Sequence, residues 1–276
     1  MNVVYFGTDV FIKLFRYFIK KHHVMALYTY YNPEDYFTEY NIVCEAEENN
    51  IPVFYKAISE DDIRRYIADG CNLFFLAEYN RRIPCLTEAE GFYGINVHSS
   101  LLPHGRGYYP IENALMNGMN RTGVSFHKLT DKIDKGDVIA AEEFEISEYN
   151  DSVDVYIKAA DAAYNQLMDI MQDFYVKYGS AAEQTGQSSL AARPDDAELC
   201  LRHDMTVKEA EEAYRCFNKM TCLEINDRLY RAVSMKCSRV RIDDDVVWIS
   251  KNYIHYKLAD GHARISSEPF EEAQDE

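Results

Sequence analysis

Over the first 140 residues, short apolar runs alternate with amphipathic stretches, the pattern of parallel strands joined by crossover helices. Residues 3–6 read as a buried first strand ended by Gly7, and Phe11, Leu14, Phe15 and Phe18 then recur at helical spacing over 9–19. The same alternation predicts strands at 24–28, 53–55, 73–76 and 95–98, with helices at 37–48 and 60–68. Pro110 opens a helix over 110–116, and strands follow at 123–129 and 138–144. From 151 to 178 the residues Val155, Ile157, Ala160, Ala163, Leu167 and Met171 fall near one stripe, which predicts a long helix. The expected fold class is α/β, an open, mostly parallel, Rossmann-like sheet.

Past that helix the texture changes. Residues 179–194 are rich in Ser, Ala, Gln and Gly and read as a linker. Beyond it, Thr206 caps a short helix over 207–216, and 223–265 holds β-prone runs broken by Asp and Gly. The expected organisation is a domain of residues 1–190 followed by a small mixed domain of 191–276. The last nine residues, from Glu268, carry five acidic side chains and read as a frayed tail. No internal repeat is visible.

Composition narrows the partners. A formal net charge of −17 disfavours a polynucleotide, whose binding draws on clustered Lys and Arg. The run Lys20, Lys21, His22, His23 reads as a solvated helix end rather than a phosphate patch. Seven cysteines without a CxxC pair fit neither a disulfide framework nor a zinc site, so a reducing cytoplasm is the expected location. No signal peptide and no membrane-spanning run is expected. Gly7 and Thr8 follow the first strand as a phosphate turn does, but without GxGxxG or a P-loop lysine a nicotinamide enzyme is rejected.

The chemistry concentrates in GINVHSSLLPHGRG, residues 94–107, and in the segment 130–137. On a strand Asn96 and His98 share a face, at the carboxyl end where open α/β sheets bind ligands. An amide beside an imidazole can grip a carbonyl oxygen that gains negative charge and can handle a proton. Asp131, Asp134 and Asp137 each offer a carboxylate to charge or orient the imidazole. The plainer alternatives are that Asn96 and His98 satisfy buried backbone, that Asp134 caps a turn, that Arg106 makes a structural pair, and that His127 is a core or rim residue.

The run Asn96-Val97-His98-Ser99-Ser100-Leu101-Leu102-Pro103, with Arg106, Gly107, Pro110, Gly118, Thr122, Gly123, Val124, Ile133, Asp134 and Gly136, closely resembles the folate-dependent formyltransferases. These include methionyl-tRNA formyltransferase, glycinamide ribonucleotide formyltransferase and the N-formyltransferases of nucleotide-linked amino sugars. The resemblance covers residues 1 to about 190. It implies the formyltransferase fold and a catalytic set of Asn96, His98 and Asp134, the carboxylate of the IDxG pattern. The implied co-substrate is 10-formyltetrahydrofolate, held by Tyr79, Arg81, Arg82, Ile83, Thr130 and Asp131 largely through backbone groups, with no metal. Ser99, Arg106 and Tyr109 are the expected acceptor contacts. Where the tRNA-directed branch carries a basic insertion after the second strand, this chain has YTYYNPEDY, residues 28–36, acidic and aromatic. The implied acceptor is therefore a nucleotide-linked amino sugar, whose base a ring can stack on and whose phosphate Arg106 can meet. Methionyl-tRNA and an inactive folate-binding paralogue are the competing readings; a homodimer is compatible with the sequence, which does not specify the oligomeric state.

Overall fold

The computed structural model describes residues 1–30, 40–84, 91–250 and 253–269. Its first half is built from β1 (Asn2–Gly7), α1 (Ile12–Lys21), β2 (His23–Tyr28), α2 (Asn41–Glu48), β3 (Val53–Phe54), α3 (Glu60–Ala68), β4 (Leu73–Ala77), β5 (Tyr93–His98), β6 (Arg106–Gly107), α4 (Pro110–Met116), β7 (Arg121–Lys128) and β8 (Val138–Glu145). All but β6 of these strands form one seven-stranded sheet in the order β3-β2-β1-β4-β5-β7-β8. The first five run parallel, and β7 and β8 join antiparallel at one edge.

Both faces of this sheet are covered, which explains the unbroken apolar runs of its central strands. Along β1, Val3 and Tyr5 point into the larger core with Phe11, Phe15 and Phe75, whereas Val4 and Phe6 point into a second layer with Tyr28, Phe74 and Tyr66 of α3. The expected long helix is two: α5 (Ser152–Gln172) and α6 (Phe174–Gly179), broken at Asp173, whose φ of −143° leaves the helical region. A capping box between Asp151 and Asp154 starts α5, and its buried face carries Val155, Ala159, Ala163, Leu167 and Ile170. Ile157, placed on that stripe by spacing, is exposed instead.

The remaining elements are β9 (Leu190–Ala191), α7 (Asp196–Leu199), β10 (Cys200–Leu201), α8 (Val207–Phe217), β11 (Cys222–Ile225), β12 (Arg228–Ser238), β13 (Val246–Ser250), β14 (Tyr253–Leu258) and β15 (Gly261–Pro269). Thr206 caps α8 in a capping box with Glu209, as its sequence predicts. Six strands form a second, mixed sheet, β10-β11-β12-β15-β14-β13, whose own core includes Leu223, Ile254, Tyr256 and Ile265. Leu199, Phe217 and Met220, although beyond residue 191, pack into the larger core of the first sheet.

Two expectations are corrected here. Residues 179–194 are not a free linker: β9 pairs in parallel with β6, and Ala182 bridges to Val138. The cysteines do hold one disulfide, Cys200–Cys222, because the register of β10 on β11 sets these two residues side by side. Their separation of 22 residues gave no local signature. The predicted helix start at 37–39, most of the 28–36 segment, Cys85 and the tail from 270 lie outside the described residues. Among the described residues no helix is long and apolar enough to cross a membrane.

Candidate active site

A cavity of about 480 Å³ opens at the carboxyl ends of β1, β4 and β5, beside the point where the strand order reverses. Asn96 and His98 at the end of β5 reach it, as do Ser99, His127 near the end of β7, and Asp134 from the loop before β8. The antiparallel register sets Asn96 directly across from His127. These groups are well enclosed, with His98 7%, His127 2% and Asp134 8% exposed.

The polar contacts form a closed set. Asn96 Nδ2 donates to His127 Nε2 at 3.0 Å and to Asp134 Oδ1 at 3.3 Å. His127 Nδ1 lies 2.9 Å from the Lys128 carbonyl, which can only accept, so Nδ1 carries the proton. Its Nε2 then accepts from Asn96 and lies 3.4 Å from Asp134 Oδ1. The Gly107 N–H donates to Asp134 Oδ2 at 2.9 Å. His98 Nε2 donates to the Gly105 carbonyl at 2.6 Å, which leaves Nδ1 facing Asp134 Oδ2 across 3.7 Å.

Electrostatics follow from this arrangement. Burial lowers the His98 pKa, and the nearby Asp134 charge and the Gly105 carbonyl only partly offset it, so the ring is neutral at pH 7. For Asp134, burial favours the acid, but the hydrogen-bonding contact with His127, the fields of both imidazoles and the Gly107 N–H outweigh it and hold the carboxyl at about 2. The site therefore pairs a fixed carboxylate with a neutral imidazole whose free lone pair faces it. Such a pair can pass a proton while an amide and a ring N–H steady an oxyanion.

The loop carrying Asp134 is set by close packing. Asp134 has φ +51°, and a Cβ on Gly136 would stand 1.8 Å from the Lys128 carbonyl oxygen. Gly107, at φ +112°, abuts the Ala191 carbonyl in the same way. The segment after β5 is tied to β7 by Ser125, whose hydroxyl donates to the Ser100 carbonyl and accepts from the Leu102 N–H.

Of the three aspartates left open by the sequence, only Asp134 is in the set. Asp131 is exposed, and Asp137 pairs with Lys128 at 3.5 Å. Tyr79, Arg81, Arg82, Ile83, Thr130 and Asp131 all line the cavity. Arg82 spends a donor on the Asp131 carbonyl, and the Thr130 hydroxyl is used within its own turn by Lys132, so these two offer mainly backbone. The Tyr79 and Ser99 hydroxyls are buried and have no hydrogen-bond partner among the described residues, a vacancy that a polar ligand would fill. Tyr109 lines the cavity as expected, but Arg106 does not: its Nε and Nη2 both donate to Gln184 Oε1, at 3.1 and 2.6 Å, which favours the structural pairing over phosphate contact. Sequence reasoning sets His127 aside as a core or rim residue and does not single out Gln184, whose amide meets both Arg106 and the Asp134 loop. Beside the Gly7-Thr8 turn, the Asp9 carboxylate accepts from the Asn41 and Ile42 N–H groups at the start of α2. Among the described residues no group of three or more His, Cys, Asp or Glu is placed to hold a metal.

The family model described as formyl transferase matches residues 41–171. Curated relatives include the methionyl-tRNA formyltransferases of Listeria welshimeri, 32% identical over 54% of this chain and 48% of the relative, and of Bacillus cytotoxicus, 34% identical over 45% and 40%. The chain thus spans about half the length of the curated relatives it matches. Among solved structures, the sugar 3N-formyltransferase WlaRD, crystallised with dTDP and 5-N-formyl-THF, has 19% identity, a TM-score of 0.62 and 97% coverage of each chain. An N-formyltransferase from Helicobacter canadensis, bound to folinic acid and dTDP-3-aminofucose, has 18% identity, a TM-score of 0.60 and coverage of 97% and 99%. At these identities the likeness is one of fold, here over nearly the whole of both chains.

Proposed function

We propose that the chain, whose residues 41–171 match the formyl transferase family model, moves a formyl group from 10-formyltetrahydrofolate to the amine of a nucleotide-linked amino sugar. The observation that carries this reading is the convergence of Asn96, His98, His127 and Asp134 on one cavity. The cavity suits the donor: its 480 Å³ is within the usual range for small-molecule sites. The unpartnered Tyr79 and Ser99 hydroxyls and the backbone of 130–133 supply polar contacts for a pterin and its formyl group.

In the proposed reaction the free amine attacks the formyl carbon, forming a C–N bond as the carbonyl oxygen takes up negative charge. Asn96 turns an N–H from its resting partners to that oxygen, and His98, once protonated at Nδ1, donates to it as well. The amine's surplus proton passes by the Asp134–His98 gap to N10 of the folate. The C–N10 bond then breaks, releasing tetrahydrofolate and the formamide.

The acceptor reading draws on overall form. The sugar N-formyltransferases resemble this chain along nearly all of both lengths, and the aromatic side chains Tyr108 and Tyr109 line the cavity. Methionyl-tRNA is the second reading, favoured by the curated relatives. The test incubates the purified protein and 10-formyltetrahydrofolate with a panel of dTDP- and UDP-amino sugars and, separately, with charged initiator tRNA. Formylation of an amino sugar is the expected result; formylation of the tRNA alone overturns the acceptor assignment.

A further inference from the structure

We infer that Gln184, in the segment whose composition reads as a linker, is a positioning residue that holds the catalytic aspartate in register with the cavity. Its side-chain amide has two donors and two acceptor lone pairs, and all four are used. Nε2 donates to the carbonyls of Asp134 and Gly136, each at 2.8 Å, while Oε1 accepts from Nε and Nη2 of Arg106. Arg106 immediately precedes Gly107, whose N–H binds the Asp134 carboxylate. One amide therefore ties the backbone of the Asp134 loop to the side chain of the residue that precedes Gly107.

That loop needs holding. Asp134 sits at φ +51°, the left-handed region that a side chain with a Cβ rarely adopts unless its surroundings enforce it. Gln184 is itself held from both sides. Ala182 exchanges backbone hydrogen bonds with Val138 at 2.8 and 3.0 Å, and Ser189 Oγ accepts from the Gly105 N–H at 2.9 Å just ahead of the β9–β6 pairing. The segment is a strap across two catalytic loops, and Gln184 is its buckle. The same Gly105 supplies the carbonyl that orients His98, so the strap also bears on the imidazole.

The activity arm of the test rests on the formyl-transfer reading; a spectroscopic arm does not. Gln184→Ala removes all four bonds. Gln184→Glu keeps an acceptor for Arg106 but turns a carboxylate oxygen toward two carbonyls. If the pairing with Arg106 were all that mattered, the Glu variant would match wild type; the strap instead predicts that both variants fail alike. Each should lower kcat by roughly ten- to a hundredfold, the scale of an ångström of misplacement, with the KM for the folate donor within about twofold. In ring-nitrogen NMR spectra of the unliganded protein, the His98 and His127 signals should shift while those of His203 and His262 stay. Unchanged imidazole signals in both variants, or wild-type kcat in Gln184→Glu, overturn the proposal. If wild type transfers no formyl group to any acceptor, the proposed function fails and the imidazole spectra still decide the strap.

Discussion

The site turns on two downward pKa shifts, one that keeps His98 neutral and one that keeps Asp134 charged. His98 has its pKa lowered by burial, so its contribution to stability is complete above the ordinary value of 6.5 and is lost progressively as pH falls below it, because the unfolded chain then takes the proton more readily. Asp134, at about 2 against an ordinary 3.8, stabilises the fold above about pH 4 by about 2 kcal/mol, and that is lost as pH falls through about 2. Urea unfolding between pH 7 and 5 should therefore show a shallower loss of stability in His98→Asn than in wild type. Equal slopes would mean that His98 is not held neutral by the fold. What the sequence disclosed at this scale was chemistry without partners. Asn96 and His98 were legible because a strand's two-residue period aligns them, whereas His127 was not, since it meets Asn96 only through an antiparallel pairing across a connection of more than 20 residues. Asp134 was singled out from its neighbours by resemblance, and the physical reason is a left-handed turn that buries it while leaving Asp131 exposed.

Elements were more legible than contacts. Helices α3 and α4 fall on their predicted ranges because their ends carry local signals, Ser59 as a capping box and Pro110 in the first turn. The segment 179–194 failed as a linker because small polar residues say that a backbone is pliable, not what it pairs with. Close approach at Gly136 gives a direct check on the loop: Gly136→Ala should destabilise by about 1–3 kcal/mol or more in urea unfolding, from the clash with the Lys128 carbonyl. Gly179→Ala, which meets nothing within 4 Å, should stay within about 0.5 kcal/mol of wild type. Removing the α5 cap with Asp151→Ala should cost about 1 kcal/mol. A tolerated Gly136→Ala would show that the Asp134 loop is not packed as described.

For the whole molecule, charge and topology act together. The parallel sheet brings its strand ends to one rim, and that rim was readable from the alternation of apolar and amphipathic segments. The second sheet was readable only as β-prone runs, because its strand order depends on long-range register. With a net charge of −17 the chain repels a polyanion, so acceptor binding should draw on local contacts. Raising salt from 50 to 200 mM should change the KM for an amino-sugar nucleotide by only a few-fold, against the roughly thousandfold weakening of a protein that grips many phosphates. A steep salt dependence would point to the tRNA reading.

The most direct measurement is single-turnover formyl transfer by wild type, Asn96→Ala and His98→Ala, with donor binding followed in parallel by folate fluorescence. Each variant should bind 10-formyltetrahydrofolate within a few-fold of wild type and transfer its formyl group on the order of 100-fold more slowly, the usual loss for one oxyanion donor. Transfer at the wild-type rate by either variant would contradict the account of how this site works.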